Sequence, residues 1–213
     1  YKEMGFTKET IINALALLGW STENEIFSID ELIESFKLEN VQKAAAVFDL
    51  KRFNWVSSQQ LAKLDENGFF EVIKPFMEDE EVSEDYPNYK KILLAMRTSK
   101  TNLKDIAHAT RPFFFELDGY DEKGVEKFLN ESLETLTFAL EVLSKLTEWN
   151  ETELDMALIK VRDYFNLPIP KVNQPMRIAL VGSTVSPSLG LTLELFGKEK
   201  SLERIQKAID FIS

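Results

Sequence analysis

The chain of 213 residues contains no cysteine. That excludes a disulfide scaffold, a thiolate metal site and a cysteine nucleophile. Its one histidine, His108, excludes a multi-histidine metal centre and argues against a serine–histidine relay. No apolar run approaches the roughly 18 residues that a membrane-spanning helix requires. The sequence has no glycine-rich phosphate loop, no Gly-x-Ser-x-Gly elbow and no His-Glu-x-x-His pair, so those chemistries have no carrier. Nothing repeats, and no segment is of low complexity. No basic-then-apolar leader opens the chain, so export is not expected and the cytoplasm is the expected compartment. The opening Tyr1 to Met4 reads as the interior of a longer protein.

Hydrophobic residues make up 44% and charged residues 29%, which is ample for a packed core. The net charge of −11 argues at first against a polyanionic partner, because phosphate contacts need lysine and arginine. That average hides a pattern. Residues 1–84 and 116–155 each carry −9, whereas 85–115 carry +4 and 160–213 carry +3. On charge alone this is ordinary surface patterning, although basic stretches gathered on one face would admit an anion.

The apolar period is helical almost throughout. Thr7 precedes a stripe through Ile11, Ile12, Leu15 and Leu18, and Gly19 reads as a stop. Ser28 and Glu31 have the spacing of a capping box. Further helices are expected from Ser57-Ser58, from Phe69 to Phe76 with Pro75 disturbing its end, and from Ile92 to Met96. Asp121 is expected to cap one long helix reaching Leu143, and Asn150 the next. Ser186-Pro187 is expected to open another. Strand signals are confined to Ile178–Val181 and Phe113–Phe115, and neither alternates. The acidic Glu78–Glu81 and the segment to Pro87 read as a linker, with one domain up to about Met77 and another from about Asp85. The expectation is an all-α fold made of irregular helical domains.

Three polar clusters stand out. Arg177 adjoins an apolar segment that could hold its stem while the planar fork reaches a ligand, although an internal salt bridge is the commoner use of such a residue. Ser186 and Pro187 suit a helix start with open amides, a natural contact for phosphate, although most caps are only caps. Arg52, Phe53, Asn54 and Trp55 join cation, amide and aromatic. Asn54 can read a base edge, whereas Phe53 and Trp55 read as core.

These clusters lie in longer stretches that resemble bacterial glutamyl-tRNA synthetase. They are Gly5–Thr7, Ile12–Ser21, Glu25–Leu32, Ala46–Leu50 with Trp55, Gln174–Gly182, Leu195–Glu199 and Arg204–Ala208. The first 60 and last 40 residues carry the likeness. The middle has diverged, although Arg97 and Thr101–Leu103 fall where that family has a basic, helix-starting segment.

The resemblance implies two irregular all-α domains forming an anticodon-binding cage. Residues 1–22 would end the stem-contact region, 23–84 would form a first anticodon-binding domain and 85–213 a second. It implies a tRNA partner, a monomer, no metal and no catalytic residue in this chain, and a parent enzyme that uses ATP and Mg²⁺ to attach glutamate. The family's anticodon-reading arginine falls on Arg177, and its helix-start loop on Ser186, Pro187, Ser188 and Leu189. A second arginine, which reads the third anticodon base in discriminating members, falls on Asn54. Its loss would admit glutamine tRNA as well as glutamate tRNA unless Arg52 substitutes. The alternative is a helical protein-interaction module without RNA binding, which the net acidity favours.

Overall fold

The computed structural model describes residues 1–20, 22, 24–42 and 47–213. Ser21 and Ala46 of the stretches named above, and Glu23 at an expected boundary, lie outside the described residues. Among the described residues the only β pairing is an isolated bridge between Trp20 and Val41, and the fold is all-α as expected.

The chain divides into two compact units, residues 1–110 and 111–213. The first contains α1 (Lys8–Ala16), α2 (Ile29–Ser35), α3 (Leu50–Lys63), α4 (Glu66–Asp79), α5 (Tyr89–Met96) and most of α6 (Leu103–Phe114). The second contains α7 (Glu122–Gly124), α8 (Leu133–Ser144), α9 (Glu151–Phe165), α10 (Ile169–Val181), α11 (Leu189–Phe196) and α12 (Lys198–Ile212). The break does not coincide with the expected ones near residues 22 and 84. Residues 85–110 are tied into the first unit: the Arg97 guanidinium donates to the Leu61 and Leu64 carbonyls, and the Leu103 amide donates to Gly5 O. Gly5 has φ of 85°, and a Cβ there would meet the backbone of Lys104. Glycine is required for that approach.

Several local expectations need correction. Glu78–Glu81 is not a linker: Glu78 and Asp79 finish α4, Glu81 adopts a left-handed φ of 61°, and the next residue, Val82, is buried. The Val82 amide donates to Met77 O, which closes the helix. Ser57 does not start a helix. α3 begins at Leu50 because the Asp49 carboxylate accepts from the Lys51 and Arg52 amides. The run from Asp121 is interrupted: a π turn at Val125–Leu129 ends at Asn130, and α8 starts afresh at Leu133. Ile178–Val181 is helical, and Phe113 and Phe114 end α6. The capping box at Ser28 and Glu31 and the Asn150 cap are present.

In the first unit α1 packs on α3. Their contact is locked by a buried amide network. Asn13 Nδ2 donates to Glu25 O (2.8 Å), and its Oδ1 accepts from Gln60 Nε2 (2.7 Å) and from the Phe27 amide. Buried amides satisfied in this way hold one register. Phe53, Val56 and Leu61 therefore face inward, and the opposite face of α3 faces water. In the second unit the core runs through Leu136, Leu143, Leu154, Val161, Met176, Leu180, Leu193 and Ile205.

Candidate nucleic-acid interface

The end of α10 and the loop that follows it are built around two constraints. Gly182 closes α10 at φ 73°, and a Cβ there would lie 2.8 Å from Gly119 O. The Asp121 amide donates to Gly182 O at 2.8 Å. Arg204 supplies the second constraint. It is only 2% exposed, lies over the Phe196 ring at 4.5 Å, and donates to Leu180 O and to Phe115 O (2.6 Å). Both carbonyls belong to helix C-termini, where a cation is favoured. Burial lowers its pKa to about 10, so it stays charged at neutral pH.

On this support sits Arg177, half-buried, with its pKa drawn below the ordinary arginine value by burial. Its Nε donates to Ser186 Oγ at 3.1 Å. Ser186 Oγ donates in turn to Pro187 O, and Thr192 Oγ1 lies 3.2 Å away. No carboxylate pairs with Arg177 among the described residues, so the internal salt bridge is not the use made of it here. Its orientation is set at Nε, while the terminal nitrogens of the fork make no further bond among the described residues.

The helix start differs from expectation. α11 begins at Leu189 and is capped by Ser188, whose Oγ accepts from the Leu191 amide. Ser186 and Pro187 lie before it. Leu189 is buried in the core and anchors the loop. Ser188 Oγ also donates to a Glu151 carboxylate oxygen, and Asp155 presses against Gly190 so closely that a Cβ there would meet its Oδ1 at 2.4 Å. Two carboxylates already face this end, so a phosphate would be repelled. The loop suits a neutral base edge.

On α3, Asn54 is partly exposed and its side chain makes no hydrogen bond among the described residues. Arg52 is paired with Glu25 at 2.7 Å, both side chains nearly half exposed. Such a surface pair is worth about 0–1 kcal/mol and exchanges readily for another anion. Phe53 is core, but Trp55 is not: it is 41% exposed. Arg177, Ser186, Pro187, Ser188 and Leu189 are thus gathered in the second unit, while Arg52 and Asn54 belong to the first.

Sequence reasoning missed how many cations bind inward. Arg97 and Arg204 clamp carbonyls, and Lys198 Nζ donates to Leu146 O at 2.7 Å. It also missed the carboxylates at α11. Their approach depends on α9 lying beside α11, which no local pattern reveals. Among the described residues, no group of three His, Asp or Glu side chains gathers as a metal site.

A family described as an anticodon binding domain matches residues 59–209. One described as the catalytic domain of class I tRNA synthetases (E and Q) matches residues 1–55. Glutamate–tRNA ligase from Thermodesulfovibrio yellowstonii is 33% identical over 99% of this chain and 47% of its own length. Glutamate–tRNA ligase 2 from Thermoanaerobacter pseudethanolicus is 32% identical over the whole chain and 46% of its own length. The chain therefore spans just under half the length of these relatives. Among solved structures, a glutamate tRNA ligase from Elizabethkingia meningosepticum in complex with its amino acid has a TM-score of 0.81 and 29% identity, covering 100% of this chain and 43% of the other. Glutamate-tRNA synthetase from Elizabethkingia anophelis has a TM-score of 0.77, also at 29% identity, covering 99% of this chain and 42% of the other. The chain belongs to the anticodon binding domain family, and a short portion of a class I tRNA synthetase catalytic domain precedes that match.

Proposed function

We propose that this chain is the anticodon-arm-recognising part of a monomeric, cytoplasmic glutamate–tRNA ligase. The parent would attach glutamate to tRNA with ATP and Mg²⁺. The observation that carries the reading is Arg177: a guanidinium oriented by Ser186, left without a carboxylate, on a helix that contains no acidic residue. A planar donor fork of that kind can take two acceptors on the edge of an unpaired base. The carboxylates behind Ser188 keep phosphate away, so contact there is with the base.

The test is binding of a glutamate-tRNA anticodon stem-loop at low and moderate salt. Arg177→Ala should weaken the cognate loop roughly 5- to 150-fold, the range of a good bidentate base contact, and a loop with altered anticodon much less. Equal loss for both loops would mean that Arg177 touches only backbone.

Asn54 supports a broader tRNA range. It offers an uncharged amide where discriminating relatives are expected to have arginine. Charging assays with the full-length enzyme should then show glutamine tRNA accepted beside glutamate tRNA, and Asn54→Arg should narrow the range. Strict rejection of glutamine tRNA by the unmutated enzyme would overturn this part.

A further inference from the structure

We propose that Trp55 is a stacking platform for an unpaired base of the bound RNA, a second contact on the first unit. This inference rests on the tRNA reading above. A tryptophan at that position of an amphipathic helix would ordinarily pack inward. The Asn13–Gln60 network fixes the rotation of α3 so that Phe53 and Val56 fill the core instead, and Trp55 remains 41% exposed. No ring or cation engages it among the described residues. Lys51, Trp55, Gln59 and Lys63 recur every fourth residue and are all exposed, so they form one stripe along the helix. The fourteen residues of α3 include three cations and no acid, in a chain of net charge −11. Among helices of eight residues or more, only α5 and α10 also lack acids, and α10 bears Arg177. Cation, aromatic and amide in a row is a surface that suits a single strand: the ring takes a base face, and Lys51 takes a flanking phosphate. Lys63 Nζ donates to Ile26 O at 3.1 Å, so it is the Lys51 ammonium that a purely apolar partner would leave without a counterpart.

The chain itself supplies the probe. Of its three tryptophans, Trp20 is buried and Trp149 is partly buried with its indole N–H on Leu193 O, so external quenching of fluorescence reports Trp55. Adding a glutamate-tRNA anticodon stem-loop or the whole tRNA to the full chain should reduce acrylamide quenching, and Trp55→Phe should abolish that change. Trp55→Ala should weaken binding roughly 5- to 150-fold. Trp55→Phe should stay within about threefold and Trp55→Leu should fall near alanine, because stacking needs a π face. Circular dichroism of each variant separates lost contact from lost fold. RNA binding with unchanged Trp55 quenching and equal affinities across the series would overturn the proposal and leave the tRNA reading standing. Absence of any RNA binding by the unmutated chain would overturn both. Shielding of Trp55 that grows with protein concentration, without RNA, would assign the stripe to protein contact and overturn it too.

Discussion

Arg204 and Arg177 differ in bonding as well as in exposure. Arg204 uses its fork on Leu180 O and Phe115 O, whereas Arg177 uses only Nε. Arg204→Met should therefore strip partners from two carbonyls at helix ends and cost about 3 kcal/mol in urea unfolding. Arg177→Ala should cost less than about 1 kcal/mol in the same measurement while changing RNA selectivity. Lys198→Ala should lower stability by about 1 kcal/mol through the loss of Leu146 O, with little change in the salt dependence of RNA binding. This contrast was not legible in the sequence. Arg177 stands between Met176 and Ile178, Arg204 beside Ile205 and Lys198 two residues after Phe196, and only the packed neighbours decide which carbonyls lie in reach.

At the level of elements, the helix-start signals were read well where the capping residue and its partner lie three apart. Ser28 with Glu31 and Asn150 with Glu153 are examples. The Glu31 carboxylate is held below its ordinary pKa of 4.5 by the Ser28 amide it accepts from and by the Ser28 hydroxyl. A carboxylate lowered in this way supports the fold above its unfolded pKa and loses that support as pH falls through the lower folded value. The protection of the Ser28 amide, measured against its intrinsic exchange rate, should therefore hold at neutral pH and fall below about pH 4.5, and Glu31→Ala should remove that pH dependence. Gly182→Ala puts a Cβ against Gly119 O at a positive φ, and should cost more than 1 kcal/mol in thermal or urea unfolding. Reading failed where an element continues through a poor signal or stops without one. Ser57 looked like a start but lies inside α3, its hydroxyl donating to Thr101 O, and the π turn at Val125–Leu129 has no marker in composition.

Across the whole molecule, two units each bury their own apolar surface, and family matches meet between residues 55 and 59, inside α3. Residues 111–213 have a continuous core from Leu129 to Ile209. That piece expressed alone should unfold cooperatively in urea with helical circular dichroism; a broad, featureless transition would mean that its core needs the first unit. The acidity of Glu78–Glu81 suggests a solvated linker, whereas a left-handed Glu81 and a buried Val82 turn that run back into the unit.

Sequence by itself determined the all-helical class, the main caps and the ordered likeness to one synthetase family. These follow from periodicity and from bonds between residues three or four apart, which a linear chain displays. Tertiary structure alone decided which cations are internal, that carboxylates from α9 guard the start of α11, and that Trp55 meets solvent. Those outcomes depend on residues far apart in the chain, whose mutual approach is set by core packing and buried amides.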